Sequence, residues 1–224
     1  MRQHIFADTF ATYHNDQRLV LARADGDHPS TTAPRRRRRR NESALERFQI
    51  CESPEGHASV VHRASGEMMH GGIDPMIEAN ALYVAQSRLV ERLREASAVP
   101  FVVWDVGMGA AHNAMAAIRA GETGAPAKQR PLHLVSFEHD VASLRLALRH
   151  ALKFPHLHFP APSHVLRFGE WRSELAPILW TLHEGDFRQH MPSAPTPDCI
   201  FYDPFSTKTD TPMWTLECFD SVFA

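Results

Sequence analysis

The feature that most constrains the fold is a repeated alternation of strand-like and helix-like segments from residue 99 onward. Residues 99–106, VPFVVWDV, form a continuous apolar run that is typical of a strand buried on both faces. The Ala-rich residues 110–121 predict a helix that ends at Gly121. Residues 132–140 predict a second strand, and residues 141–154 predict a helix that stops before a proline. Such alternation with short loops is typical of a parallel sheet covered by helices.

The alternation continues towards the end of the chain. Residues 181–186 predict a third strand, residues 198–204 a fourth, and residues 212–223 a further helix. We expect residues 156–177 to be irregular apart from a short helix from Glu170. The predicted fold class is therefore α/β, with a doubly wound, Rossmann-like sheet. Because open sheets usually have about five or six strands, we expect the carboxy-terminal edge of this sheet to be missing from the chain or supplied elsewhere.

A run of six arginines, Arg35–Arg40, separates two parts of different charge. Residues 1–56 contain ten Arg and no Lys against eight acidic residues, whereas the remaining 168 residues hold 14 basic and 18 acidic side chains. Such a run repels itself and predicts solvated coil, with weak affinity for RNA phosphates as the alternative. We therefore predict an extension with an Arg-rich linker at residues 1–56 and one domain at residues 57–224.

The predicted domain begins with a strand-like segment and a helix. Apolar residues at positions 58, 60 and 61 lead to a turn at Gly71-Gly72. Asp74 is a suitable N-cap and Pro75 a suitable first helical residue. From there, apolar residues recur at helical spacing to about residue 95, which predicts one continuous helix.

Composition excludes several classes of protein. The chain is 43% hydrophobic and 22% charged with a formal charge of −2, close to an average globular protein. No apolar stretch approaches the roughly 20 residues of a membrane-spanning helix, and the amino terminus lacks a signal-peptide pattern. Three cysteines without a CxxC pair predict reduced thiols and a cytoplasmic protein. Fifteen histidines appear without an HExxH motif or a Cys pair, so no metal site is predicted.

Four predicted strands end in polar residues or glycine turns. Ligands bind beyond the carboxyl ends of the strands in open α/β sheets, so these positions are candidate binding residues. They are Asp105, Gly107 and Gly109 after the first strand, Glu138 after the second, Asp186 after the third and Asp203 after the fourth. The glycines permit a tight turn close to a ligand, and an acid after the second strand accepts hydrogen bonds from ribose hydroxyls.

A glycine turn followed by an acid after the second strand is shared by dinucleotide-dependent dehydrogenases and S-adenosylmethionine (SAM) methyltransferases. Asp105 lies just before the glycines, where a ligand ammonium is a better partner than a pyrophosphate. The GxGxxG pattern also fails, because its last position is His112. Both features favour a methyltransferase, although Asp105 and Asp186 as helix-capping or turn carboxylates remain the alternative.

The sequence resembles the methyltransferase domain of the MnmC family of bacterial tRNA 5-methylaminomethyl-2-thiouridine biosynthesis enzymes and its stand-alone relatives. The resemblance covers about residues 54–223. Its most specific part is Asp203-Pro-Phe-Ser followed by Met213-Trp-Thr, since the family has an Asp-x-Phe-Ala/Ser-Pro element at the same distance before Met-Trp-Thr. The other matching segments are GHASVVHRASGEMMHGG, EANALYVAQS, DVGMGAAHNA, SFEHD and HEGDF.

The resemblance implies a cofactor, a substrate and a role for each strand-end residue. SAM is the implied cofactor, with Asp105, Gly107 and Gly109 around its methionine part, Glu138 at its ribose and Asp186 near its adenine. Asp203 is the implied catalytic residue, facing the methyl group and the substrate amine. The implied substrate is tRNA, in which the aminomethyl group of 5-aminomethyl-2-thiouridine is methylated. An oxidase partner or domain acting upstream is also implied.

Two departures from the family pattern affect these expectations. Ala111 replaces a family glycine, which we expect to cost close packing, and Thr207 replaces the proline of the Phe-Ala/Ser-Pro element, which alters the substrate loop. The alternatives are a SAM-dependent methyltransferase of another RNA or a small amine, and a truncated, non-catalytic module that binds RNA through Arg35–Arg40. The sequence does not predict an oligomeric state.

Overall fold

A computed structural model describes residues 46–71, 73–124 and 129–223, so the arginine run and residues 1–45 of the predicted extension lie outside the described residues. The first elements form a two-stranded antiparallel hairpin, β1 (Phe48–Glu52) and β2 (Ala58–His62). Phe48 is buried in the main hydrophobic core. The packed structure therefore reaches to the amino-terminal side of the predicted boundary between residues 56 and 57.

Next in the chain, α1 (Pro75–Ala79) begins where the sequence predicts. The Asp74 carboxylate accepts hydrogen bonds from the backbone N–H groups of Met76 and Ile77, at 2.7 and 3.3 Å, which satisfies two donors that a helix start leaves open. The predicted single helix is wrong beyond this point. The chain continues as a π-helix (Asn80–Ala85) and then turns at Arg88, whose φ of 54° is left-handed, before α2 (Leu89–Arg94).

The central sheet has five strands in the order β5-β6-β4-β3-β7. They are β3 (Phe101–Val106), β4 (Leu132–Glu138), β5 (Glu170–Arg172), β6 (Ile178–Glu184) and β7 (Cys199–Tyr202). Strands β6, β4, β3 and β7 are parallel, and β5 pairs antiparallel with β6. The chain winds from β3 to one side through β4 and β6 and returns on the other side as β7. This confirms the predicted doubly wound, Rossmann-like α/β fold and places its switch point beside the end of β3.

Helices cover both faces of the sheet. They are α3 (His112–Gly124), α4 (Ala142–Arg149), α5 (Pro160–Phe168), α6 (Phe187–His190) and α7 (Leu216–Phe223). Successive side chains of β3 alternate between two cores, since Phe101 and Val103 join the larger cluster and Trp104 and Val106 the smaller one. Asp105 consequently points to the same face as the apolar side chains of the larger core.

The segment expected to be irregular is ordered. Pro160 occupies the first turn of α5, where a missing N–H costs nothing, and Gly169 ends that helix with a left-handed φ of 80°. Glu170, the expected start of a short helix, instead begins β5, whose Trp171 pairs with Trp180 of β6. The prolines at positions 160 and 162 predict irregular backbone, whereas in the structure Pro160 is the first residue of a helix.

Two smaller expectations are also corrected. Gly121 lies inside α3 rather than at its end, and a Cβ at that position would come 2.9 Å from the Ile178 Cδ1 atom, so the glycine permits close packing on β6. Ala111 has a left-handed φ of 65°. The difference from the family glycine therefore lies in backbone conformation, because a Cβ-bearing residue at this φ costs roughly 1–2 kcal/mol.

None of the helices in the described residues has both the length and the apolar character needed to cross a membrane.

Candidate functional site

A cleft of about 640 Å³ opens at the carboxyl edge of the sheet, beside the switch point. Its volume is within the range of small-molecule sites. The ends of β3, β4, β6 and β7 form one side, and the segment that follows β2 faces them. Five of the predicted site residues line this cleft, namely Gly107, Gly109, Glu138, Asp186 and Asp203.

The sixth predicted residue, Asp105, is fully buried directly before the glycine turn and does not line the cleft. The Ser136 hydroxyl donates to its Oδ2 atom at 2.6 Å, and the Trp180 indole N–H donates to the Ser136 oxygen at 2.8 Å. Its Oδ1 atom has no hydrogen-bond partner among the described residues. Burial raises the pKa of Asp105 to about 7, and the charges of Asp203 and Glu138 act in the same direction.

The glycine turn brings the chain close to the end of β7. Gly107 has a φ of 84°, and a Cβ there would lie 2.5 Å from the Asp203 carbonyl oxygen. Gly109 has a φ of 55°, and a Cβ there would lie 3.1 Å from the Met69 sulfur. Gly107 therefore requires glycine for space as well as conformation, whereas at Gly109 a Cβ would be strained by the positive φ and would press on the Met69 side chain. Both glycines line the cleft.

Glu138 connects the glycine turn to the end of β4. Its Oε2 atom accepts from the Gly109 N–H and its Oε1 atom from the Asp140 N–H, both at 2.8 Å. Burial raises the pKa of Glu138 to about 7, against the opposing effect of these two hydrogen bonds. A carboxyl group held in this way can still accept hydrogen bonds from ligand hydroxyl groups at its remaining lone pairs.

Asp186 has a structural partner as well as a place in the cleft. It caps α6 by accepting from the Arg188 N–H at 3.0 Å, and it pairs with the Arg188 guanidinium at 2.6 Å. Hydrogen bonding to Arg188 lowers the pKa of Asp186. Asp186 is therefore a helix-capping residue, as the alternative interpretation predicted, and it also lines the cleft.

Asp203 lies at the end of β7 with two partners that the sequence did not indicate. The Asn113 side-chain amide donates to its Oδ2 atom at 2.8 Å, and the Tyr83 hydroxyl interacts with the same carboxylate. Burial raises the pKa of Asp203, and the Asn113 hydrogen bond opposes that change. Burial and the Asp203 charge together raise the pKa of Tyr83, so its hydroxyl stays protonated as a donor.

A second contact fixes the loop after β7 against the segment after β2. The Glu67 carboxylate accepts from the Ser206 N–H at 2.6 Å and from the Ser206 hydroxyl at 3.0 Å. The Phe205 ring lies 5.6 Å from that of His62. The loop after β7, in which Thr207 departs from the pattern of the resembling family, is thus held through Ser206, the residue just before Thr207.

Three histidine rings contact one another in sequence, and the first of them, His70, lies near Asp203. The ring of His112 lies 4.7 Å from that of His70 and 3.9 Å from that of His156. Burial lowers the pKa of His112 well below its usual value and that of His156 to about 4, so both are neutral near pH 7. Among the described residues, no group of three His, Cys, Asp or Glu side chains is arranged to hold a metal ion.

The cleft is rich in carboxylates. Six of its lining residues are acidic, namely Glu67, Glu138, Asp140, Asp186, Asp203 and Asp210. The two lining arginines, Arg47 and Arg188, are each paired with one of these acids, Asp140 and Asp186. The cleft therefore favours a ligand that carries positive charge.

No protein-family model and no curated protein matches this sequence. The chain is similar to the crystal structure of MnmC2 from Aquifex aeolicus, with a TM-score of 0.60 and 17% sequence identity over 96% of this chain and 69% of that chain. The O-methyltransferase TomG from Streptomyces achromogenes, solved in complex with SAM, has a TM-score of 0.33 and 17% identity over 68% and 60% of the two chains. The first similarity shows that this chain shares the Rossmann-like α/β fold of that protein. The second is too weak to add to it.

Proposed function

We propose that this protein is a SAM-dependent N-methyltransferase that acts on the aminomethyl group of a modified wobble uridine in tRNA. The product of 5-aminomethyl-2-thiouridine would be 5-methylaminomethyl-2-thiouridine. The observation that carries the proposal is the convergence of the strand-end residues around one acidic cleft, with Asp203 opposite the glycine turn. The motif around Asp203 and the shared fold with MnmC2 support the same reading. An oxidase acting upstream belongs to the proposal as well.

The residues present fit SAM as cofactor. Gly107 and Gly109 line the cleft, and a side chain at Gly107 would collide with the Asp203 backbone, so the turn presents its main chain at this point. Glu138 suits a ribose. The buried carboxyl group of Asp105 lies directly before the turn, and its Oδ1 atom has no partner among the described residues, so a cationic group bound nearby would favour its charged form. When bound, SAM supplies an electrophilic methyl group on a positively charged sulfur.

Asp203 would orient the amine that receives the methyl group. A carboxylate fixed by Asn113 and Tyr83 has a defined direction, so an amine paired with it is held in one position. Its negative charge also stabilises the positive charge that develops on nitrogen as the new bond forms.

Calorimetry tests the cofactor site. Wild-type protein should bind SAM in the micromolar range, and Asp105→Ala and Glu138→Ala should each weaken binding at least tenfold. Glu184→Ala is a matched control, because Glu184 pairs in register with Glu138 at the end of β6 but does not line the cleft. Absence of SAM binding by the wild type, or equal loss in the control, would overturn the cofactor assignment.

Mass spectrometry of tRNA nucleosides tests the substrate. Incubation with SAM and tRNA that carries 5-aminomethyl-2-thiouridine should raise the mass of that nucleoside by one methyl group, and Asp203→Asn should abolish the change. The acid-rich cleft, whose two arginines are already paired, favours a second candidate, methylation of a small amine. Transfer to a free aminomethyl nucleoside at the same rate as to tRNA would support that candidate instead.

A further inference from the structure

We propose that His70, held by Glu78, accepts the proton that the substrate amine must lose before it is methylated. This inference rests on the proposed function. The amine needs a free lone pair to displace the sulfonium leaving group, yet an alkylammonium has a pKa near that of lysine, about 10.4, so only about one molecule in a thousand is neutral at pH 7.4. The site therefore needs a group that removes a proton from the bound ammonium.

His70 has the surroundings of such a base. It lines the cleft together with Asp203, and its side chain is only 10% exposed. Its Nδ1 atom lies 3.1 Å from Glu78 Oε2. When Nδ1 donates to that carboxylate, the neutral ring carries its lone pair on Nε2, and the carboxylate stabilises the ring after it takes a proton.

The groups next to the His70 ring carry negative charge or no charge. Glu78 on α1 and Asp203 on β7 attract an imidazolium, whereas the neighbouring rings of α3 and of the segment before α5 add no positive charge, because burial keeps both neutral near pH 7. Among the described residues, the titratable groups with a reported interaction with His70 include Glu78, Asp203, His112 and His156. The backbone N–H of His70 donates to the Ser59 hydroxyl at 3.1 Å, which fixes the position of the residue.

Asp203 is less suited to the same step. It already accepts from Asn113 and interacts with Tyr83, so it binds an ammonium as a fixed anion. In the proposed sequence, R–NH₃⁺ pairs with Asp203 and transfers one proton to His70 Nε2. The neutral amine then forms the N–C bond, the methyl–sulfur bond breaks, and its electron pair stays on sulfur. His70 releases its proton to water through the open cleft, and the secondary ammonium leaves.

The pH dependence of kcat separates a base from a structural residue. At pH 7, His70→Asn should lower kcat by about 10²-fold or more while SAM binding by calorimetry stays within twofold. The deficit should shrink by roughly tenfold per pH unit towards pH 9.5, because solution then supplies the neutral amine. Added imidazole should restore part of the rate. Glu78→Gln should lower kcat with the same pH dependence but by a smaller factor. His164→Asn is the matched control, because His164 is an exposed histidine outside the cleft.

The outcomes separate the two proposals. If the wild type methylates the aminomethyl group and His70→Asn has the same kcat and the same pH profile, the inference is overturned and the proposed function stands. A deficit that is constant with pH and unaffected by imidazole overturns it as well. If the wild type transfers no methyl group to any aminomethyl substrate, the proposed function is overturned. The assignment of His70 as its base is then overturned as well.

Discussion

At the scale of single residues, the buried Asp105 has the clearest consequence for stability. Its folded-state pKa of about 7 lies above its usual value, so the folded chain binds a proton more tightly than the unfolded chain between about pH 4 and 7. The stability of the protein without ligand therefore falls as pH rises through this window and levels off above it. Glu138, with its pKa also raised to about 7, acts in the same direction.

Asp105→Asn should remove this contribution. We expect the free energy of unfolding of the ligand-free variant at pH 8 to exceed that of the wild type by about 1–3 kcal/mol, with the difference vanishing towards pH 4. Urea unfolding followed across this range measures it. A variant less stable than the wild type at pH 8, or a difference that does not change with pH, would contradict the buried carboxylate as a source of instability.

Ala111 carries a backbone cost that a glycine would avoid. Ala111→Gly relieves the left-handed conformation, worth roughly 1–2 kcal/mol, and loses a buried methyl group and some rigidity of the unfolded chain, so its net effect should be near zero. Ala110 is the matched control, since it is equally buried and lacks the positive φ. Ala110→Gly should destabilise by about 1–2 kcal/mol. Equal losses at both positions in chemical denaturation would refute the assigned strain.

The acids at the strand ends were predictable, whereas their partners were not. Parallel topology brings the carboxyl ends of the strands to one edge of the sheet, so Glu138 and Asp203 were expected at that edge once the strands were assigned, and the strand order places them on the two strands that flank β3. Asn113 reaches Asp203 across 90 positions of sequence, from a helix face whose rotation no local pattern specifies. The same holds for Tyr83, which lies on a π-helix. The only sequence signal for Tyr83 is that it lies in the EANALYVAQS segment, which matches the resembling family.

At the scale of secondary-structure elements, two short loops are joined by one side chain. Glu67, after β2, holds Ser206, after β7, through two hydrogen bonds. Although burial opposes the change, hydrogen bonding to the loop after β7 lowers the pKa of Glu67. The ionised Glu67 carboxylate therefore stabilises the folded protein at pH values above its usual pKa. This contribution is lost as pH falls through the lowered pKa.

Glu67→Ala should release the loop. Hydrogen bonds to a charged acceptor contribute about 1.5–3 kcal/mol, so we expect the Ser206 amide to exchange with solvent roughly tenfold to a hundredfold faster at pH 7. Hydrogen exchange followed by NMR gives this rate directly. Glu52→Ala is the control. Glu52 lies on the hairpin, where it makes an exposed ion pair with Lys153 rather than a bond to the loop after β7. Unchanged exchange at Ser206 would show that the loop is held by other contacts.

Three of the parallel strands were predictable as elements because each is an apolar run that ends in polar residues. The third predicted strand, residues 181–186, was displaced, since β6 spans Ile178–Glu184 and begins in the apolar residues before Thr181. The antiparallel β5 was not predictable, since three residues carry no usable periodicity and its pairing with β6 depends on tertiary contact. The break after α1 was missed for a related reason. A π-helix has the composition of an α-helix and nearly the same spacing of apolar residues. The left-handed turn is formed by Arg88, and without a glycine at that position the sequence does not indicate a turn.

At the scale of the whole molecule, charge is divided between the two parts of the sequence. Residues 57–224 hold 14 basic and 18 acidic side chains, and the cleft itself is acidic, which suits a cationic cofactor and an amine but not a polyphosphate backbone. The basic excess of residues 1–56 comes from Arg35–Arg40. If tRNA is the substrate, the arginine run is the sequence feature best suited to attract its phosphates.

Replacing all six arginines with glutamine should therefore weaken tRNA binding and reduce its dependence on salt, because fewer counterions are released when fewer phosphates are neutralised. Replacing them with lysine is the matched control, since it keeps the charge and should keep most of the salt dependence. Filter binding from about 50 to 200 mM salt, the range over which such contacts lose most affinity, measures both variants. Methylation of a free aminomethyl nucleoside should be equal in all three proteins, because that substrate has no phosphate backbone. Equal salt dependence in the glutamine and lysine variants would instead place the RNA-binding surface elsewhere in the chain.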